Sequence, residues 1–208
     1  MRVVEPGSPA ERLIARSRRL LLRPAETWET IEAEPATVDD LYRGWVIPLA
    51  AIPAVCRSIG VLAFGGIQIF GVRYRPGVLG VLLEALATYA LTLGSISVLA
   101  RIIDAFAPRF GGARNHTQAF KLAAYSGTAG WLGGVLLLLP TMGGLLQVLA
   151  GLYSLYLLYL GLPKLMRSDP DQTLGYFVLI LAATLTLALL IGSLVSCVGA
   201  LGGPIRID

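Results

Sequence analysis

Charge is the scarcest property of this chain: 14% of its 208 residues are charged, 55% are hydrophobic, and mean hydropathy is +0.71. A soluble domain of this length buries one core and cannot hide so much apolar sequence. There is one histidine, His116, which excludes His-Glu-x-x-His and other multi-histidine metal sites. With no Gly-x-Ser-x-Gly elbow and no Walker-type phosphate loop, the common hydrolase and nucleotidase readings fail as well. The two cysteines, Cys56 and Cys197, fall in apolar segments and read as small buried hydrophobes, not as a disulfide framework. No short apolar region follows Met1, so no cleaved signal peptide is expected. The expectation is a protein that is not an enzyme and needs no cofactor or metal.

What remains is long uncharged runs. A hydrocarbon core of roughly 30 Å takes about 20 apolar residues in a helix, and five windows meet that length: 44–66, 78–100, 120–139, 145–162 and 176–201. The third and fourth come from one uncharged stretch between Lys121 and Lys164, with Pro140-Thr141-Met142-Gly143-Gly144 as its turn. The predicted fold is all-α, a five-helix transmembrane bundle over 44–201. A cytoplasmic region, 1–43, precedes it and a short outside tail, 202–208, follows. Thirteen basic residues flank one side of this scheme and only Arg73, Arg75 and Arg206 the other. The N-terminus is therefore expected inside and the C-terminus outside. The same rule accounts for a pI of about 9.3 without nucleic acid.

Before the first window, Ser8-Pro9-Ala10-Glu11 has the form of a capping box. Arg12, Arg16, Arg19 and Arg23 then recur at helical spacing opposite Leu13, Ile14, Leu20 and Leu21, the pattern of a helix on an anionic lipid surface. The alternative is a solvated helix packed on the protein's own loops. A second short helix is predicted from Pro24 to about Glu34; its acids, Glu26, Glu29, Glu32 and Glu34, should hold it off anionic lipid. Thr37-Val38-Asp39-Asp40 offers another cap, and the Tyr42 and Trp45 rings suit the headgroup level.

Inside the windows, Arg57 is the costliest residue, at about 2.5–3.5 kcal/mol near a span centre. Roughly eight apolar neighbours at about 0.5 kcal/mol each just outweigh it. Pairing with Glu84 of the second span would lower the cost for both; the pair is read as a packing device in preference to an ion or proton relay. Pro48 and Pro53 should kink or unwind the first span. Small residues at Ser126, Gly130 and Gly134, and at Ala188, Gly192, Ser196 and Ala200, predict close helix packing within the chain, with a homo-oligomer seam as the lesser option. Tyr153, Tyr156 and Tyr159 read as a core stripe.

Several segments in this order resemble the prokaryotic branch of the Yip family, the Ypt-interacting-protein-like membrane proteins. They are Leu22-Arg23-Pro24-Ala25-Glu26-Thr27-Trp28, Asp40-Leu41-Tyr42, Pro48-Leu49-Ala50-Ala51-Ile52-Pro53, Phe110-Gly111-Gly112, Ala124-Tyr125-Ser126, Gly151-Leu152-Tyr153 and Tyr159-Leu160-Gly161-Leu162-Pro163. The resemblance implies five spans and a cytoplasmic N-terminus. Eukaryotic relatives are trafficking factors that associate with prenylated Rab-type GTPases; Ala124 stands here where their pattern has glycine. Asp40 and Tyr42 are the positions it offers as partner contacts. The expected function is a membrane adaptor or organiser in a bacterial inner membrane, touching lipid and an unidentified cytoplasmic protein. The rival is a small transporter or channel using Arg57 and Glu84.

Overall fold

The computed structural model describes residues 8–64, 67–69, 72–139, 142–202 and 206–207. Helices α1 (Pro9–Leu22) and α2 (Pro24–Ala33) form a hairpin ahead of α3 (Val38–Leu41), a π-helical turn (Tyr42–Val46) and α4 (Ile47–Ala63). Then come α5 (Val78–Phe106) with a 3-10 turn (Ala107–Phe110), α6 (His116–Ser126), α7 (Thr128–Gly133) with a 3-10 turn (Gly134–Leu138), α8 (Gly143–Met166) and α9 (Thr173–Ala200). At one end the backbone forms a small antiparallel sheet that sequence reasoning did not foresee. It comprises β1 (Ile67–Ile69), β2 (Val72–Arg75) and β3 (Arg206–Ile207), in that order, with Ile67 opposite Tyr74 and Tyr74 opposite Ile207.

Both predicted caps form. Ser8 Oγ accepts from Glu11 N–H at 3.3 Å while Glu11 reaches back to Ser8 N–H at 2.7 Å, and Thr37 and Asp40 do the same at the start of α3. The unwinding expected at Pro48 falls just before it, where Ile47 N–H bonds five residues back to Tyr42. Pro48 has no N–H to continue the ladder, so the turn widens there.

Among the described residues, four segments are long and apolar enough to cross a membrane: Val38–Ala63, Val78–Phe110, Gly143–Met166 and Thr173–Ala200. The third predicted window contains no such helix, for two physical reasons. Residues 119–126 of α6 are buried on every side, so this segment is the axis of the bundle and carries no outward apolar stripe. Beyond Gly127 the helix breaks and then tightens to 3-10, because Gly134 lies against Pro53 of α4 and the Leu137 carbonyl against Gly60. A Cβ on Gly134 would fall 2.6 Å from Pro53 Cα, and one on Gly60 would fall 2.6 Å from Leu137 O. Pro140 and Thr141 of the predicted turn lie outside the described residues.

The two small-residue stripes differ. On the third segment Gly130 N–H donates to Ser154 Oγ at 2.8 Å, Gln147 Nε2 donates to Gly130 O at 2.9 Å, and Ser126 is buried. On α9, in contrast to the packing expected, Gly192, Ser196, Ala188 and Ala200 face outward, and a Cβ on Gly192 would meet nothing within 4 Å. The reason is that α9 packs closely on α5 through a different face, where Gly199 accepts Glu84 and Gly202 backs onto Gly80. Cys197 shares the exposed side and Cys56 is half-buried, so neither is the buried hydrophobe expected.

A paired substitution tests this packing. Gly134→Ala should destabilise the purified protein by about 1–3 kcal/mol, because the clash is with backbone and overpacking of this kind has that size. Gly192→Ala should leave thermal unfolding unchanged or raise it slightly through helix propensity. Equal melting shifts for the two would contradict the assignment.

Candidate functional site at the capped end of the bundle

The polar residues that cooperate most densely belong to α1 and α2 and to what lies beneath them. Trp28, fully buried, fills a notch at Gly161 of α8, where a Cβ would stand 2.7 Å from the indole and from Leu122 Cδ1. Ile31 and Leu20 complete the apolar seal. The last carbonyls of α2 have no partner within their own helix; α6 supplies one. Lys121 Nζ donates to Ile31 O at 2.7 Å, Glu34 O at 2.6 Å and, more weakly, Glu32 O at 3.4 Å, and Gln118 Nε2 donates to Glu32 O at 3.0 Å. An ammonium on a helix C-terminus also complements its dipole.

Ion pairs ring this junction. Lys164 Nζ lies 2.5 Å from Glu29 and donates to Ala25 O at 2.9 Å, while Arg167 Nη2 lies 3.1 Å from Glu32. Arg167 adopts φ +52° at the end of α8, a left-handed conformation uncommon outside glycine, and from there its side chain reaches α2. Thus two acids of this helix, Glu29 and Glu32, neutralise the basic end of α8. Arg16 pairs with Glu34 and donates to Tyr125 Oη at 3.0 Å. Burial would favour its neutral form, but Tyr125 and Glu34 outweigh that, and its pKa is raised. Nearby, Gly111 takes φ +72° and Gly112 lies against the Met166 carbonyl, which lets the turn after α5 dock on the end of α8.

The remaining predicted residues are distributed as follows. Arg12, Arg19 and Arg23 are exposed on α1, Arg23 lying 3.7 Å from Glu26. Asp40 is exposed at the start of α3, while the Tyr42 hydroxyl points into the bundle, 2.9 Å from Leu93 O and 2.6 Å from Ser97 Oγ. Trp45 is buried with Nε1 donating to Thr128 Oγ1 at 3.1 Å, so these two rings brace helices and do not sit at the headgroups. His116 is exposed as the first residue of α6. Arg57 Nη2 comes within 3.4 Å of Glu84 Oε2 near the sheet end of α4 and α5. The tyrosines of α8 are no core stripe either: Tyr156 and Tyr159 face outward, and Tyr153 Oη donates to Leu21 O of α1 at 2.6 Å.

Two cavities open at the capped end. One of about 390 Å³ is lined by Glu32, Glu34, Asn115, Gln118 and Lys121, among others. The other, about 150 Å³, adjoins it at Asn115 and Gln118 and includes Arg114 and Arg167. Neither is lined by Arg57 or Glu84. Among the described residues, no group of three or more His, Cys, Asp or Glu could hold a metal.

Lys121→Met keeps the stem and removes the donor, leaving buried carbonyls unpaired. It should cost about 2–3 kcal/mol and make residues around Pro35 sensitive to protease. Lys164→Met removes only a pair between partly exposed groups and should cost under about 1 kcal/mol. Protease resistance unchanged in Lys121→Met would contradict the clamp.

The chain is 27% identical over 163 residues to the inner membrane protein YohC of Escherichia coli K12, covering 76% of this chain and 82% of that protein. The same figures hold for YohC of Escherichia coli O6:H1. No solved structure matches. The Yip1 domain model matches residues 18–192, from the last turn of α1 through α2 and the bundle into α9; this membrane protein belongs to the Yip1 domain family.

Proposed function

We propose that the chain is a non-enzymatic membrane organiser that presents its capped end to a protein on the cytoplasmic side of a bacterial inner membrane. In this reading it has five spans, the N-terminus inside and the C-terminus outside. The observation that carries it is the pair of cavities beside α2 and the start of α6, lined by Glu32, Glu34, Gln118, Lys121 and Arg167 among others. Asp40 is exposed next to this end and is the contact retained from the pair suggested by resemblance; the Tyr42 hydroxyl is already engaged within the bundle. The fifth crossing is the broken segment 116–138, whose continuous packing against α4, α5 and α8 supports a passage through the bundle despite its breaks. Orientation rests on the gathering of basic residues at the capped end, and the inner-membrane relatives support the compartment.

The Arg57–Glu84 pair then serves packing. Arg57 is about half exposed and Glu84 mostly covered, Glu84 being seated against Gly199. Such a pair lets an arginine stem lie along the apolar surface with its head held near the outer interface.

Purified protein in liposomes is expected to pass no ions or small solutes beyond empty vesicles. A flux lost on Glu84→Ala would overturn this reading in favour of transport. Fused reporters should place residue 208 outside and residue 1 inside; finding both on one side would remove the fifth crossing.

A further inference from the structure

Helix α1 has three faces. Leu13, Ser17, Leu20 and Leu21 turn toward the bundle. Arg12, Arg19 and Arg23 form an exposed basic edge. Between them lies a flank where Ile14 and Leu22 are 64% and 68% exposed, with Arg18 one turn from each. Two large apolar side chains left this open on so basic a helix are unfavourable in water, and none of the described residues covers them.

The depth of α1 is fixed by what it touches. Lys164, near the end of α8, holds α2, but the carbonyl of Leu21 is held by Tyr153. Tyr153 lies eleven residues back along α8, about 16 Å at 1.5 Å per residue. The outward face of α8 is aliphatic at Leu145, Val148, Leu149 and Leu152 and becomes aromatic at Tyr156 and Tyr159. A change from aliphatic to tyrosine marks the boundary between acyl chains and headgroups. The C-terminal end of α1 therefore lies level with that boundary.

We infer that α1 is an interfacial anchor: Ile14 and Leu22 enter the outer acyl region of the leaflet at the capped end, and Arg12, Arg18, Arg19 and Arg23 bind anionic phospholipid headgroups. The Arg18 stem lies along the apolar layer with its guanidinium at the phosphates. The inference rests on the membrane-organiser reading and names its lipid.

The test uses the full chain with Cys56 and Cys197 replaced by serine, carrying a fluorescent label at Ile14→Cys, Leu22→Cys or Arg19→Cys, in vesicles of phosphatidylglycerol and phosphatidylcholine. Labels at 14 and 22 should be quenched by nitroxides on the upper acyl chain and shielded from iodide, and the label at 19 the reverse. Spin-labelled phosphatidylglycerol should be enriched around the protein severalfold over phosphatidylcholine, about fivefold for each arginine fully engaged. That preference should be lost when Arg12, Arg18, Arg19 and Arg23 are all changed to glutamine. Iodide quenching at 14 and 22 equal to that at 19 would overturn the anchor. So would shielding seen only in native membranes and not in pure lipid, which would assign this flank to a protein. The failures are distinguishable: an inverted topology changes the side from which iodide reaches position 19, and a transport activity leaves the depth of 14 and 22 unchanged.

Discussion

A buried ammonium organises this molecule. Lys121 lies in the buried stretch 119–126 of α6, and its three protons meet the open carbonyl end of α2. A charge in that position is tolerable only if fully hydrogen-bonded, and α2 has free acceptors only at its C-terminus. Each solves the other's problem. Once α2 is held there, Trp28 must enter the Gly161 notch, and Glu29 and Glu32 fall opposite Lys164 and Arg167. The turn at Arg23 and Pro24 then returns α1 along the flank of α8, where the Tyr153 hydroxyl donates to the Leu21 carbonyl.

The two ends of the bundle thus use charge differently. At the capped end, clustered ions and helix termini neutralise one another beside water, and polar grooves remain open. Toward the sheet end Arg57 and Glu84 meet between α4 and α5. Glycines at 80, 199 and 202 bring α5 and α9 close enough to seat the carboxylate. The first arrangement offers a surface, the second a brace.

Much of the fold could be read from local chemistry. Long uncharged runs gave α4, α5, α8 and α9, the two capping boxes gave the starts of α1 and α3, and the cost of isolated charges brings Arg57 to Glu84. The central helix escaped because run length cannot distinguish a segment facing lipid from one surrounded by other helices; His116, Gln118 and Lys121 on α6 were the available hint that its environment is protein. Its breaks depend on Pro53 and Gly60 of α4, far away in sequence. The cap escaped for a similar reason. Glu29 and Glu32 are spaced three apart, as are Lys164 and Arg167, and matching those spacings across 135 residues would have placed α2 on α8. Tyr42 and Trp45 were misplaced because an amphipathic ring serves a helix junction as well as a headgroup layer.

Amide hydrogen exchange across α2 in the intact protein measures the central claim most directly. A ten-residue helix has little stability alone, so protection there comes from its docking on α6 and α8 through the Lys121 clamp, Trp28 and the ion pairs. Amides from Thr27 to Ala33 are expected to exchange orders of magnitude more slowly than those of an unstructured peptide, approaching the rates within α6. Exchange in that stretch as fast as in a free chain would contradict it.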